Sequence, residues 1–315
     1  MGGSSARVAL VLGAGGVAGG AFHAGVLAAL SEAADWDPRS ASVIVGTSAG
    51  SITGASLRAG VSAPDLLARA QDRPPGPPPV LRPARAPRAP VDLAATLGRA
   101  ARRPLAARPW ALLAALLPEG SVSTTMISEA IGELFPDAWP SEALWICAVR
   151  QKDGRRVTFG QTGPHPPLPD AVAASCAIPG FFRPVVIEGV AHIDGGVHSP
   201  TNADLVLEAG AVDLVVVSSP MSREGRRPRL SPDQAIRTWS SALLDAEVLR
   251  LRRRRIPVIT MQPDAAVLAE MGLNAMDPAT RSAIAAQALA SARHRLRSAR
   301  LAERLAVLGR GPRPR

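Results

Sequence analysis

The arrangement that most constrains this chain is a strand, a glycine-rich turn and a helix, found twice in succession near its start. Val8–Leu12 is a compact apolar run that predicts a buried strand. Residues 13–20 are rich in glycine and predict a loop, after which Ala21–Ala33 predicts a helix. Ala41–Val45 predicts a second short strand, and Ala49–Ala59 predicts the helix that follows it. Two such units in a row are typical of an α/β fold with a parallel sheet.

The rest of the chain continues this alternation of short apolar strands and helices. Further strands are predicted at Leu144–Val149, Arg156–Gly160, Pro184–Glu188, Val212–Ser218 and Pro257–Met261. Further helices are predicted at Thr125–Leu134, Asp170–Cys176, Ala203–Ala209, Pro232–Arg254 and Ala279–Val307. An apolar content of 47% supplies enough side chains for a large core. We therefore expect one α/β domain over residues 7–307, with a mostly parallel central sheet and helices on both faces.

One segment interrupts the alternation. Between Arg73 and Pro90 there are eight prolines and several arginines, so this stretch lacks the apolar residues that folding requires. A short apolar helix is predicted directly behind it, at Trp110–Leu117. We interpret residues 73–120 as an insertion within the domain. Several interpretations stay open. The segment is a flexible loop followed by a packed surface helix, or a mobile cover over a site, or an interfacial element that contacts lipid.

The N-terminal apolar segment raises the question of a membrane span or an export signal. Val8–Leu30 carries no charged residue and is long enough to cross a bilayer. However, it contains six glycines and His23, and its first apolar block is short for a signal peptide. Cys147 and Cys176 do not form a disulfide framework, and their apolar surroundings predict buried thiols. We therefore expect a cytoplasmic protein, because reduced thiols fit that compartment.

The net charge of +10 bears on possible partners. Nearly all the basic residues are arginines, since Lys152 is the only lysine. They concentrate at Leu249–Arg255 and along the predicted C-terminal helix. Two interpretations remain, solvated helix faces or peripheral contact with anionic membranes. Nucleic acid is not expected as a partner, because no recognition motif accompanies the charge and aromatic residues make up only 3%.

The glycine-rich loop after the first strand predicts a site for an anion. Backbone N–H groups at the start of a helix have no partner within it, and glycine lets a ligand approach them closely. Gly13, Gly15 and Ala18 satisfy the tolerant fingerprint of a dinucleotide site. The acidic residues at a suitable distance, Asp35 and Asp37, lie at a helix end rather than a strand end. A nucleotide P-loop is excluded because no Lys-Ser/Thr follows, so the third candidate is an oxyanion hole, which needs a nucleophile nearby.

Gly46-Thr-Ser-Ala-Gly50 supplies that nucleophile, because it fits the pattern of a nucleophile elbow with Ser48 at its centre. Such a serine stands at the apex of a tight strand-to-helix turn, where its hydroxyl is accessible. Bulky side chains two residues to either side would clash in the turn, which explains Gly46 and Gly50. The helix that begins near Ala49 adds its positive N-terminal end to the site.

Ser48 needs a proton acceptor, because a serine hydroxyl is by itself a poor nucleophile. An α/β-hydrolase would use a histidine for this purpose. The histidines that follow Ser48 in the chain are His165, His192, His198 and His294. A better candidate is Asp194 in the run Ala191–Val197, where a carboxylate at a strand end is followed by two glycines. A carboxylate held against the hydroxyl can serve as general base, although an Asx-type turn is the structural alternative.

Together these motifs resemble the patatin-like phospholipase family. Leu10–Leu27 looks like its oxyanion loop and first helix, and Gly46–Ser51 is similar to its nucleophile motif. Ala174–Pro184 resembles the family block S-x-A-x-P-x-x-F, and Asp194–Val197 resembles its Asp-Gly-Gly/Ala motif. The four blocks follow the family's order over most of the chain.

This resemblance implies a three-layer α/β sandwich with a Ser–Asp dyad, no catalytic histidine, no cofactor and no metal. It implies a serine acyl hydrolase that acts on phospholipids or other acyl esters. Carried over residue by residue, Ser48 is the nucleophile and Asp194 is the general base. The backbone N–H groups of Gly15, Gly16 and Val17 form the oxyanion hole.

The glycine loop departs from the family pattern at two positions. The usual loop is Gly-Gly-Gly-x-Arg-Gly, but here Val17 replaces the third glycine and Gly19 replaces the arginine. Backbone donors survive this change, whereas the guanidinium that would support the loop or bind a phosphate does not. Two classes of function therefore stay open, a lipid acyl hydrolase and a catalytically weak lipid-binding or regulatory protein of the same fold.

Overall fold

An eight-stranded sheet runs through the computed structural model, which describes residues 6–71, 120–136, 138–162, 165–225 and 232–310. The strands are β1 (Val8–Leu12), β2 (Val43–Thr47), β3 (Ala143–Arg150), β4 (Arg156–Phe159), β5 (Val185–Ile187), β6 (Val190–Asp194), β7 (Leu214–Ser218) and β8 (Val258–Met261). Hydrogen-bonded neighbours follow the path β5-β6-β3-β2-β1-β7-β8, in which β6 and β2 lie end to end along one edge of β3 and β4 pairs with its other edge. Strands β3, β2, β1, β7 and β8 are parallel, whereas β4, β5 and β6 join by antiparallel pairing. The mostly parallel sheet is confirmed.

Helices cover this sheet. The α-helices of the described ranges are α1 (Gly16–Ala34), α2 (Ala49–Arg58), α3 (Ala63–Gln71), α4 (Thr125–Leu134), α5 (Leu168–Ser175), α6 (Pro232–Arg253), α7 (Ala265–Met271), α8 (Arg281–Leu296) and α9 (Ala302–Leu308). Short 3₁₀ helices lie at Pro38–Ser40, Gly195–Val197, Ala203–Glu208, Pro278–Thr280 and Ala299–Leu301.

Two hydrophobic cores lie on opposite faces of the sheet, because successive strand residues point to alternate sides. On one face Leu10 of β1 packs in a cluster with Phe22 of α1 and Ile284 of α8. On the other face Val11 of β1 belongs to a cluster with Leu244 of α6. The predicted three layers, helices on both faces of one sheet, are therefore confirmed.

The prediction for the glycine-rich loop was wrong in its extent. Helix α1 begins at Gly16 and not at Ala21, so the second half of the predicted loop is the first turn of the helix. Glycine is a poor helix former, but Ala18 and Gly19 are buried here and tertiary packing outweighs that local preference. This early start matters, because it brings the free N–H groups of the helix terminus into the loop itself.

Several other predictions at the level of single elements differ from the structure. The single helix predicted at Ala279–Val307 is two helices, α8 and α9, separated where the backbone turns extended at Ser298. The helix predicted at Ala203–Ala209 is a 3₁₀ helix over Ala203–Glu208. Helices α3 and α7 were not predicted, because each is short and buries only two side chains.

Two remaining expectations concern the insertion and the apolar N-terminal segment. Nearly all of the predicted insertion at residues 73–120, including Trp110–Leu117, lies outside the described residues. Helix α1 is the one described helix that is long and apolar enough to span a membrane, but 67% of its apolar window is buried inside the protein. That burial is typical of a core helix.

Helix α1 crosses α8 at Gly25, where the two backbones approach closely. A Cβ atom on Gly25 would lie 2.4 Å from the carbonyl oxygen of Ala285 and 2.7 Å from the nitrogen of Leu289. At Gly20 on the same helix, a Cβ would meet no other atom within 4 Å.

We therefore expect opposite effects of the same substitution at these two positions. Gly25→Ala should lower the free energy of unfolding by about 1–3 kcal/mol or more, because backbone must move to admit the methyl group. Gly20→Ala should leave it unchanged or raise it by up to ~1 kcal/mol, because alanine favours the helix. Urea unfolding followed by circular dichroism measures both. Equal effects would contradict the close crossing of α1 and α8.

Candidate active site

Strands β2 and β6 end facing each other along one edge of β3. The last residue of β2, Thr47, pairs with Cys147, and the last residue of β6, Asp194, pairs with Ala148. Strand β4 pairs with the same two β3 residues, so it must occupy the other edge. The nucleophile candidate Ser48 follows Thr47 directly. The register of three strands thus brings Ser48 and Asp194 together from positions far apart in the sequence.

Ser48 lies in a sharp turn between β2 and α2. Its backbone has φ 53° and ψ −122°, a conformation that a non-glycine residue adopts only when its surroundings impose it. A Cβ atom on Gly46 would lie 2.7 Å from Cα of Ser51, and one on Gly50 would lie 1.9 Å from the carbonyl oxygen of Leu12. Both flanking glycines are therefore required by packing, as the elbow pattern predicts.

The hydroxyl of Ser175 holds this turn in place. It accepts the N–H of Ser48 at 2.9 Å and donates to the carbonyl oxygen of Cys147 at 2.6 Å. In the same segment, the carbonyl oxygen of Ala177 accepts the N–H of Asp194 at 2.9 Å. The block that resembles S-x-A-x-P-x-x-F thus binds both predicted dyad residues through the backbone, a role that its sequence did not reveal.

The carboxyl group of Asp194 is only 5% exposed. Burial raises its pKa to about 6, and hydrogen bonds with the Ser48 hydroxyl and the Gly196 N–H act in the opposite direction. The Gly196 N–H donates to Oδ1 at 2.7 Å. A carboxylate in direct hydrogen bonding with a serine hydroxyl can take up its proton, and a pKa near neutrality suits a general base.

The histidines considered as alternatives have other surroundings. The ring of His165 packs edge-on against Trp139, and that of His192 packs edge-on against Phe159. His294 is exposed on α8. By contrast, the Ser48 hydroxyl lies close enough to the Asp194 carboxyl group to lower its pKa.

The N–H groups at residues 13–18 divide into two sets. Those of Gly13, Ala14 and Ala18 donate to the carbonyl oxygens of Ser218, Pro200 and Ala275, at 3.0, 2.8 and 3.0 Å. The remaining three have no acceptor within the part of the chain that the structure describes, and they belong to Gly15, Gly16 and Val17. The structure therefore leaves unbonded the three N–H groups that the sequence predicts as oxyanion donors.

Packing fixes the backbone of this loop. Gly16 has φ +60°, and a Cβ atom there would lie 2.8 Å from Sδ of Met276. A Cβ atom on Gly15 would lie 2.9 Å from Cβ of Pro220. The side chain of Val17 is half-buried, so the valine that replaces the family's third glycine is accommodated. At Gly19, where the family has arginine, the nearest atom to a Cβ would belong to Pro220, 3.4 Å away.

His23 is a further supporting residue, which the sequence analysis used only as an argument against a membrane span. It is fully buried, with Nε2 2.8 Å from the carbonyl oxygen of Gly13 and Nδ1 2.8 Å from Oγ of Ser218. Burial lowers its pKa to about 4, so the ring is neutral. Because a carbonyl only accepts, Nε2 carries the proton and Nδ1 accepts from the hydroxyl. In the sequence, the one available sign of this role is a single histidine within the apolar part of the helix.

Cys147 and Cys176 are free and buried, as predicted, and burial raises the pKa of the Cys147 thiol to about 12. No group of three or more His, Cys, Asp or Glu side chains in the described ranges is arranged to hold a metal ion.

The comparison with protein families identifies the class to which this fold and site belong. The family model described as patatin-like phospholipase matches residues 10–207. This match covers more than half of the chain and includes Ser48, Asp194 and the glycine loop. The chain belongs to the patatin-like phospholipase family.

Two solved structures are similar to this chain. VipD from Legionella pneumophila is 14% identical with a TM-score of 0.43, and the match covers 93% of this chain and 66% of VipD. The type III effector protein ExoU is 20% identical with a TM-score of 0.35, and the match covers 93% of this chain and 53% of ExoU. The chain thus spans about two thirds of the first protein and about half of the second. No curated protein sequence matches it.

The pKa of Asp194 predicts how the reactivity of the Ser48 hydroxyl depends on pH. A fluorophosphonate reacts with an activated serine hydroxyl, and only the ionised carboxylate can take up the hydroxyl proton. With a pKa of about 6, labelling of Ser48 should rise about tenfold per pH unit below that value and level off above it. Mass spectrometry of the intact protein measures the rate. Asp194→Asn should label slowly at every pH, and a wild-type rate independent of pH would contradict this role.

Proposed function

We propose that this protein hydrolyses fatty-acyl ester bonds of phospholipids or other lipids through an acyl intermediate on Ser48. The observation that carries the proposal is the approach of the Ser48 hydroxyl to the buried Asp194 carboxyl group, beside a glycine loop with three N–H groups that have no acceptor among the described residues. Membership of a lipid hydrolase family supports the substrate class. The specific ester class and the residue roles are our own inference.

The proposed reaction has two stages, acylation and deacylation of Ser48, and Asp194 carries the proton in both. Its carboxylate accepts the Ser48 proton while Oγ bonds to the ester carbonyl carbon, and the carbonyl oxygen becomes negatively charged. The N–H groups of Gly15, Gly16 and Val17 stabilise that charge, and one such donor is typically worth ~3–4 kcal/mol. Asp194 then protonates the leaving alcohol. Finally Asp194 removes a proton from water, which attacks the acyl carbon. As the bond from that carbon to Oγ breaks, Asp194 returns the proton to Ser48 and the fatty acid is released.

The dyad is tested by substituting each member. Ser48→Ala and Asp194→Asn should each lower turnover of a soluble chromogenic ester by at least about a thousandfold, because the nucleophile or its base is lost. Ser56→Ala is the matched control, because its hydroxyl is buried on the same helix as the nucleophile turn but bonds only to the carbonyl oxygen of Ile52. Full activity of either dyad variant would rule the mechanism out.

A second function is favoured by one specific observation. The loop has Gly19 where the family has arginine, so no guanidinium from that position reaches the site. A lipid-binding or regulatory protein with weak catalysis would fit this change. In that case wild-type protein would bind lipid vesicles, yet a fluorophosphonate would not label Ser48.

An exposed apolar residue beside the glycine loop supports contact with a lipid surface. Leu273 is 90% exposed, and it lies between α7 and the residues that cover the loop. Those residues are Ala275, which accepts the Ala18 N–H, and Met276, which lies against Gly16. An apolar side chain at the rim of a lipid hydrolase site has an apolar partner in the bilayer surface. We propose a cytoplasmic protein in peripheral contact with anionic membranes, and the net charge of +10 supports that choice.

The contributions of Leu273 and of the net charge to vesicle binding can be tested separately. Leu273→Asn should weaken binding to anionic vesicles by about 10–100-fold, because burying a leucine is worth roughly 1.5–3 kcal/mol. Turnover of a soluble ester should stay unchanged. Val186→Asn is the control, since Val186 is 66% exposed on β5, outside the arginine-rich segments. Sedimentation at low and high salt measures both contributions. Binding that is insensitive to salt and to Leu273 would exclude this surface.

A further inference from the structure

Glu247 is a buried carboxylate that the proposed reaction does not use. It lies on α6, outside the residues matched by the family model, and is 4% exposed. Its Oε1 accepts the Ser199 hydroxyl at 2.6 Å. Its Oε2 accepts the Thr201 hydroxyl at 2.6 Å and the Ala203 N–H at 2.9 Å. A buried charge is costly unless hydrogen bonds compensate for lost water, and here three donors converge on it.

The hydrogen bonds to Glu247 all suit an ionised carboxylate. An ionised carboxylate only accepts, and its contacts with Ser199, Thr201 and Ala203 all supply donors. Burial raises the pKa of Glu247, and the two hydroxyl bonds act against that rise. Asp204 lies near enough to raise the pKa further, but it is itself paired with Arg156 at 2.7 Å. The carboxylate therefore acts as a fixed anchor for the backbone of residues 199–203.

Residues 199–203, the anchored loop, contact both halves of the candidate active site. The side-chain amide of Asn202 donates to Oγ1 of Thr47 at 3.1 Å, directly before Ser48. The carbonyl oxygen of Pro200 accepts the Ala14 N–H at 2.8 Å, directly before the three unbonded N–H groups. One short loop thus bonds to the strand that carries the nucleophile and to the loop that carries the donors.

We propose that Glu247 is a positioning residue, which sets the distance between Ser48 and the donors of the glycine loop by fixing the anchored loop. It touches neither substrate nor reacting atoms, and the proposal rests on the proposed function. The family signature does not contain this carboxylate, because it is supplied by a helix beyond residue 207. Glu247 should therefore affect how well the transition state is stabilised, because the oxyanion must then meet its donors. It should have little effect on the affinity for substrate.

Substitution of Glu247 should therefore change kcat much more than KM. Glu247→Ala should lower kcat about 100-fold with KM within about threefold, because the loop loses all three bonds. Glu247→Gln should lower kcat only about tenfold, because its amide oxygen can still accept hydrogen bonds from Thr201 and Ala203. Ser240→Ala is the control, as Ser240 is buried on the same helix and bonds to the carbonyl oxygen of Ile236. It should retain full kcat.

A second measurement does not depend on activity. In Glu247→Ala, hydrogen exchange of the Ala203 and Ala14 amides should accelerate at least about tenfold, because both rely on the anchored loop. Ser240→Ala should leave both rates unchanged. If Glu247→Ala does not fold, the same comparison with Glu247→Gln decides the matter.

The outcomes separate this proposal from the proposed function. A folded Glu247→Ala protein with kcat within about threefold of wild type, or with unchanged exchange of both amides, would overturn the positioning role. The double variant Thr201→Val with Glu247→Ala should lower kcat no more than Glu247→Ala alone. Additive losses of kcat would also overturn the positioning role. Absence of Ser48 labelling in wild-type protein would instead refute the enzyme, and the exchange comparison would still decide the role of Glu247.

Discussion

The approach of the Ser48 hydroxyl to the Asp194 carboxyl group is the contact on which the interpretation of this molecule depends. It exists because β2 and β6 run toward each other along one edge of β3 and stop at neighbouring residues. A shift of one residue in either register would move one of the two side chains to the opposite face of the sheet. The Ser175 hydroxyl and the Ala177 carbonyl oxygen hold the two strand ends. The geometry of the proposed dyad is therefore a property of strand pairing.

The glycine loop depends on a different set of contacts, most of them made by residues late in the chain. Ser218, Pro220 and Ala275 hold its backbone, and all three lie beyond the segment that the family model matches. This arrangement explains how the loop keeps a defined shape without the arginine of the family pattern. Rigid packing around Gly15 and Gly16 orients the amides before a substrate arrives, which is the condition for electrostatic stabilisation of an oxyanion.

Much of this architecture could be predicted from local sequence, and the remainder could not for physical reasons. Val8–Leu12 and Thr125–Leu134 were predicted to the residue, because short apolar runs and periodic segments carry their own signal. The start of α1 was misplaced, because glycines that favour a loop locally are held helical by tertiary packing. Ser48 and Asp194 were proposed as a dyad from motifs, whereas the contacts of His23 arise only in the folded chain.

The late position of the supporting residues has a consequence for synthesis on the ribosome. A nascent chain that has emerged as far as Asp194 already contains the nucleophile and its partner carboxylate. It still lacks Ser218 and Ala275, whose carbonyl oxygens take up the Gly13 and Ala18 amides. The donor loop can reach its final shape only when Ser218 and Ala275 have been made. Emerging chains therefore lack the complete form of the proposed oxyanion site until Ala275 has left the ribosome.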